Sequence, residues 1–425
     1  MIFLNYSEEQ AYTNLGISSG GNPWSYLSSE IHAFDFVWNN ALITDYEKRE
    51  ENRFTLSLNL TKKWNSNRIK GGIQFEEGKH RYYKISVEAL KAENTREYLE
   101  RYYWSNLVEN YGYNLYGEKI QEDVGLSDKP KSPRSTQFYL EDEVIFDQSI
   151  FTFGLNYISM NTGAYRDKNL VYPYWDRGAH PNSTYINKYE TDRYHSYLLP
   201  HFSWQFKQNE RFDHKLKIFK SATLPKLSDV YLGRTHKHRI YDGGWFYAFP
   251  KGPNANPVES SNIYLQTDYK YSSTLRLQFA VFHRKSETWL QTAHIETDTL
   301  GPASNYMTLL NNGENQGQGF ELNFQINKPG VKFLANYTYS HTTGTASYPN
   351  SNVQDIALFG NDTQRYDFNP DKRNLLEFNQ AHRLNAWLTM QADKNAAFAL
   401  RNSSLTFLYH FNSGHTFKQY HGSFG

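Results

Sequence analysis

The chain of 425 residues contains no cysteine. This excludes disulfide frameworks and thiolate zinc sites. No apolar run approaches the ~18 residues that a spanning helix needs, so no helical membrane protein is encoded. The formal net charge is only +1, which gives no reason to expect nucleic acid or an anionic surface as partner. The first residues, MIFLNYSEEQAY, lack the basic n-region and apolar stretch of a signal peptide, as a mature secreted protein or a fragment also would. Aromatic residues, in contrast, are plentiful: 34 Tyr, 28 Phe and 9 Trp make up 17% of the chain. Such a load suits sheets and membrane interfaces, where amphipathic rings sit at the water boundary.

Period-two alternation dominates the pattern. In GFELNFQINKPGVKFLANYTYSHTTG, residues 319–344, Phe320, Leu322, Phe324 and Ile326 alternate with polar residues up to a Lys-Pro-Gly turn. Phe333, Ala335, Tyr337 and Tyr339 then resume the alternation. Five further segments read the same way: 53–78, 136–159, 194–223, 261–290 and 381–414. Six hairpins predict about twelve strands, each of about ten residues, the length a tilted strand needs to cross a bilayer. The connections between hairpins are long, over 77–135, 160–193, 224–260, 291–304 and 342–380. Short turns at one end of an up-and-down sheet and long loops at the other are the asymmetry of outer-membrane barrels.

The best runs carry Asn, Gln, Thr and Ser on the polar face, as a wet lumen requires. The alternation therefore favours lipid against the apolar face, although a soluble barrel or sandwich with a core on that face stays open. The fold class expected is all-β: an antiparallel up-and-down transmembrane β-barrel, partial, with long extracellular loops. One segment departs from it. Residues 86–112 put Leu99, Tyr103 and Leu107 four apart among good helix formers, predicting a short helix inside the first long loop.

Candidate chemistry is sparse. His236 and His238 form an H-x-H pair with no identifiable third ligand, and read as a solvated loop. Glu141 and Glu143 would share one face of a strand, and read as a lumen-facing or interfacial acidic patch rather than an acid–base pair. The Gly-rich segment 313–319 lacks the strand-to-helix context of a phosphate cradle, and reads as the flexible or bulged start of a strand. Tyr172, Tyr174 and Trp175 in LVYPYWDRG, and Trp245 and Phe246 in YDGGWFYAF, place rings on long outer loops, where they could stack on a ligand, pack on themselves or form a membrane girdle. These five are the candidate ligand-binding residues. No catalytic residue, metal site or cofactor is expected.

Several motifs resemble those of TonB-dependent outer-membrane receptors, of the Bacteroidetes-like kind often preceded by a carboxypeptidase-regulatory-like domain. GYNLYGEKI (112–120) looks like the family's segment before a barrel strand. FYLEDEVIF with FGLNYIS resembles its paired-strand motif, with Glu141 where Gln is usual. FKSATLPKLSDVYLG resembles another signature through Phe219, Pro225, Leu227, Ser228, Asp229 and Tyr231. GPNANPVESSNIYL matches through Pro253, Asn254, Pro257, Ser260, Asn262 and Leu265, with Val258 where the family has Glu. FHRKSETWLQ, NNGENQGQGFELNF, YTYSHTTG, FNQAHRLN and FNSGHTF follow in the family's order.

The resemblance implies a 22-stranded barrel closed by an N-terminal plug, and TonB-energised uptake of a nutrient such as a siderophore, haem, glycan or peptide. It implies outer-membrane lipid, the TonB complex acting through the plug, and a surface lipoprotein as partners, and no enzyme activity. Residues 1–425 would then be a partial barrel domain, an interior fragment with the plug and C-terminal strands absent. Such a fragment is expected not to insert stably, because open sheet edges are costly in lipid. A passive porin or adhesin barrel, or a soluble carbohydrate-binding β-protein, are the alternative functions.

Overall fold

The computed structural model describes residues 2–11, 15–18, 42–101, 108–125, 127–168, 170, 189–190, 193–233, 250–296, 305–353, 373–392, 397 and 401–416. Each expected hairpin is present. The pairs are β3 (Leu42–Trp64) with β4 (Asn67–Ser86), β6 (Arg134–Phe146) with β7 (Ser149–Asn161), β10 (His195–Lys207) with β11 (Phe212–Thr223), β12 (Val258–Lys270) with β13 (Leu275–Glu296), β14 (Asn305–Lys328) with β15 (Val331–Gly344), and β17 (His382–Gln391) with β18 (Ser404–Asn412). β1 (Ile2–Ala11) pairs with β3. β2 (Leu15–Ser18), β5 (Val108–Tyr111) and β16 (Asn374–Leu375) pair off the main path. The result is a 16-stranded sheet in which neighbours along the path are antiparallel and follow chain order. β8 (Arg166–Asp167) and β9 (Tyr189–Glu190) make a separate pair.

The tight turns fall at one end of this meander. Asn65 and Asp147, both at φ 49°, and Gly330 at φ 78° supply the left-handed conformations that two-residue hairpin loops require. The long connections fall at the other end.

The sheet has two unlike faces. On one, Leu58, Ile73, Phe138, Tyr157 and Leu198 are successive cross-strand partners. Leu265, Val281, Phe320 and Tyr339 continue the same face further along. These side chains touch sideways, as Phe320 does with Phe279, Tyr337 and Tyr339. They are not roofed over: Leu60, Leu140 and Leu198 are 60–64% exposed and Leu322 is 38% exposed. Full exposure to water forfeits about 1.5–3 kcal/mol per large apolar side chain, so a stripe of this extent requires an apolar solvent. The 13 residues of β6 cover ~43 Å along the strand, or ~30 Å of depth at the ~45° tilt of membrane strands.

The opposite face is polar. Asp213, Asp268, Gln278, Asn323, Asn336, Asn385 and His410 form one unbroken cross-strand row. Asn323 donates to Gln278 at 2.7 Å, and His410 meets Asn385 at 2.8 Å. Polar side chains left over on such a face need water, so this is the inner, luminal side.

Each limit of the apolar band is marked. At the short-turn end, Phe151, Trp204, Phe206, His214, Phe212, Tyr269 and Tyr271 form a chain of rings with centroids 4.6–6.4 Å apart. By strand alternation all seven lie on the outer side, the arrangement of an interfacial aromatic girdle. At the long-loop end, the outer positions turn to Glu77, Lys79 and Arg134.

Beyond that limit the structure departs from the sequence expectations. β3, β4, β13 and β14 run 20–24 residues, about twice the expected length. Their upper halves project past the band, and in β3–β4 opposed charges such as Glu50–Arg81 at 2.5 Å and Lys84–Asp45 at 3.3 Å replace apolar pairs. The first long connection therefore starts after Ser86, not at 77. The fourth shrinks because Gln291–Glu296 continue β13.

The helical expectation holds in part. α1 (Val87–Lys91) is capped by Ser86, whose hydroxyl accepts from the Ala89 amide at 3.2 Å, and α2 (Thr95–Arg101) follows. Val108–Tyr111 is strand instead, because it pairs with Tyr82–Ile85 of β4. Tyr103 and Leu107 lie outside the described residues. The buried core sits up here as well. Tyr83, Ile85, Ala89, Leu99, Val108 and Tyr113 form one cluster, in which helices and loop cover the outer face of the β3–β4 extension.

Candidate functional site: a vestibule at the long-loop end

The inner-face positions of β4 continue upward from Glu76 through Gly78 and His80 to Tyr82. β5 lies alongside, with Tyr111 directly opposite Tyr82. A short helix, α3 (Leu227–Val230), lays Leu227 and Tyr231 across them. The tyrosines make a continuous aromatic wall: Tyr82 stacks on Tyr111 at 5.6 Å, and Tyr111 meets Tyr231 edge-on at 5.4 Å. The His80 ring lies 6.0 Å from Tyr231, and the Arg49 guanidinium 5.6 Å from Tyr82. These groups enclose a cavity of about 80 Å³, with Glu51, Glu109 and Lys251 among its lining. Burial raises the phenols of Tyr111 and Tyr231 well above their ordinary range, so both stay neutral. The void is well below the ~300–1,000 Å³ of a small-molecule pocket, so the rings, two cations and two carboxylates around it form a packed wall of the vestibule.

Behind the wall, the long connections are locked to one another. Arg166 donates to the carbonyls of Asn254 and Ala255 and to the Asn256 side chain at 2.8–2.9 Å. Burial pushes its guanidinium down to about 10. Asn311 clasps Asn256 in turn, accepting from its amide at 2.6 Å and donating to its carbonyl at 2.9 Å. The Tyr231 hydroxyl donates to the Thr162 carbonyl at 2.7 Å. Tyr111, Ala164, Val230, Tyr231, Ala255, Leu290 and Leu309 form the apolar centre of this joint. Beside it, Lys131 and Asp128 pair at 2.8 Å, almost fully buried, with the Lys131 ammonium 3.9 Å from the Tyr165 ring centroid.

Thus the sheet follows chain order, exposes one apolar face at bilayer depth, and gathers a polar vestibule at its long-loop end. The fold is an antiparallel up-and-down sheet, the wall of a partial β-barrel with an apolar outer side. No protein-family model and no curated sequence matches the chain. Among solved structures, it is similar to the FrpB iron transporter from Neisseria meningitidis, at 11% identity and TM-score 0.49, covering 85% of this chain and 44% of that one. It is similar to the outer membrane transporter YddB from Escherichia coli, at 10% identity and TM-score 0.48, and to the alcaligin outer membrane receptor FauA from Bordetella pertussis, at 10% and 0.47. Each of these two comparisons covers 87% of this chain and 47% of the other. The chain thus spans less than half the length of the solved structures it matches.

The outer-loop aromatics Tyr172, Tyr174, Trp175, Trp245 and Phe246 lie outside the described residues, as do His236 and His238. Glu141 and Glu143 face the lumen together: Lys70 donates to Glu141 at 2.6 Å, His201 meets it at 3.2 Å, and Arg68 pairs with Glu143. They are partners in structural ion pairs. The Gly-rich segment 313–319 is not a strand start but the interior of β14, opposite a register shift between Ser286 and Gln291. Its glycines permit close approach: a Cβ on Gly319 would fall 2.0 Å from the Tyr339 carbonyl. Sequence reading missed the tyrosine wall and Arg166. Tyr231 stood inside a quoted motif, but its partners lie over 60 residues away and no local pattern announces them.

Proposed function

We propose that this chain is part of the barrel of a TonB-dependent outer-membrane receptor of the Bacteroidetes-like kind, which takes up a siderophore, haem, glycan or peptide. The two-sidedness of the sheet carries the reading, with the motifs in family order beside it. Residues 1–425 act as barrel and loops, and a plug domain would close the lumen and recruit TonB. Ligand is caught by the outer-loop rings above the tyrosine wall, passage is gated, and no covalent chemistry takes place. A surface lipoprotein would assist capture where the nutrient is a glycan or peptide.

The interlocked loops favour a gated receptor over a passive porin or adhesin, since Arg166 and Asn311 hold the vestibule narrow. The exposed apolar face argues against a soluble carbohydrate-binding protein. The test is uptake of labelled candidate nutrients by cells carrying or lacking the gene, with and without TonB. Uptake lost in both deletions is the expected result. Uptake that persists without TonB would leave a passive barrel, and fractionation with soluble protein would end the membrane reading.

A further inference from the structure

On the outer face, immediately above the apolar band, β4, β6 and the loops beside them frame a notch of about 230 Å³. Lys79, Lys129 and Arg134 line it, with Gln121, Asn161 and Tyr165. Its side of the sheet follows from register. Arg134 stands between Glu77 and Asn161 on neighbouring strands, and Lys79 follows Phe75 and Glu77 at alternate positions of β4, all pointing outward. Below it on the outer face comes a row of Phe75, Thr136 and Ser159, and then Phe138, Leu140, Leu155 and Tyr157, 40–60% exposed.

The charge in the notch is unbalanced. Arg134 is held by Glu77 at 2.8 Å, and Lys79 donates to the neutral Gln121 side chain at 2.6 Å. Among the described residues, no carboxylate forms a salt bridge with the side chain of Lys79 or Lys129. A second carboxylate stands at the rim: Asp123 accepts from the Tyr165 hydroxyl at 2.7 Å and from the Lys129 backbone amide at 2.8 Å. Three cations against two carboxylates leave a net charge of about +1, beside amide groups, at the height where a lipid head group meets its acyl chains. Two ammonium groups and an arginine fork suit a phosphate, which offers several acceptor oxygens and full charge.

We propose that this notch seats the phosphorylated head group of an outer-leaflet lipid, whose acyl chains lie along the Phe138–Leu140–Leu155 surface. The inference rests on the outer-membrane reading and goes beyond it, because nutrient capture needs nothing on this face. Position separates a lipid from a free anion: the site opens sideways onto the apolar band, so head and chains are engaged together.

The test uses protein purified from its own outer membrane, stripped of lipid, and offered mixed micelles of phosphatidic acid and phosphatidylcholine. Native mass spectrometry reads which lipid is retained. Retention of phosphatidic acid over phosphatidylcholine is expected, with that preference falling about tenfold or more in the K79Q/K129Q double variant. The inner-face control K215Q/K217Q should keep it. Equal retention of both lipids, or an unchanged preference in K79Q/K129Q, overturns the proposal while leaving the barrel reading intact. Competition by millimolar inorganic phosphate as effective as that by the lipid would make this a free-anion site and overturn the lipid. Failure of the protein to enter micelles or bilayers at all would overturn both readings.

Discussion

The guanidinium of Arg166 closes on the backbone carbonyl of Asn254 at 2.8 Å, and the Asn254 side chain holds the next residue, Asp167, by both its amide and its carbonyl at 2.8 Å. One asparagine thus staples two long connections at the mouth of the barrel. Asn254 belongs to the GPNANP motif, which gives that motif a mechanical meaning. Asn254→Ala removes both clasps on Asp167 and should cost about 1–3 kcal/mol. Hydrogen exchange should speed up at residues 161–167 and 252–256 while the hairpins stay protected. Unchanged exchange at both segments would contradict the staple.

The two faces of β14 should respond oppositely to charge. Leu322→Arg puts a cation on the apolar face and should destabilise the folded protein by about 2–4 kcal/mol near mid-membrane. Asn323→Arg, one residue on, points into the polar row and should cost far less. Urea unfolding in liposomes measures both, and similar losses would contradict the assignment of the faces.

Lys131 and Asp128 are each about 98–99% buried. Removing one partner leaves an uncompensated charge, so Lys131→Met should destabilise by about 3–5 kcal/mol. The double variant Lys131→Met with Asp128→Leu should recover most of that loss. A double variant no better than the single one would show that the pair is not the source.

Asp229, in α3 outside the membrane band, has its carboxyl raised above the ordinary range by burial, partly opposed by Lys251 and Lys226. A raised carboxyl binds its proton more tightly when folded, so its contribution to stability falls as pH climbs from the ordinary aspartate value through the raised one. Asp229→Asn should therefore be more stable than the native protein at neutral pH, with the gap closing in acid. Thermal unfolding followed between pH 3 and pH 8 (on the order of the ordinary carboxylate range up to neutrality) checks this. A gap that widens in acid would reverse the sign.

The hairpins were legible because their turns carry their own chemistry. Asn65 and Asp147 tolerate a left-handed backbone, Pro329-Gly330 demands a turn, and two-residue alternation names the faces. The upper half of the β3–β4 hairpin was not legible. DYEKREENR, residues 45–53, looks like a solvated loop until Arg81 and His80 are set across from Glu50 and Glu51. Pairing charges across strands leaves no hydrophobic trace. The vestibule was hidden for a related reason: Tyr82, Tyr111 and Tyr231 meet only when three distant segments converge. β1 shows the converse, since Leu4 falls in register with Leu56, a match visible only once the sheet is assembled.

The stacked rings at one level and the cations at the other act as a pair of stops. Tyr, Trp and His resist being drawn into hydrocarbon at their polar ends, and Lys79 and Arg134 resist it from the opposite side. The wall of the barrel can neither sink nor ride up.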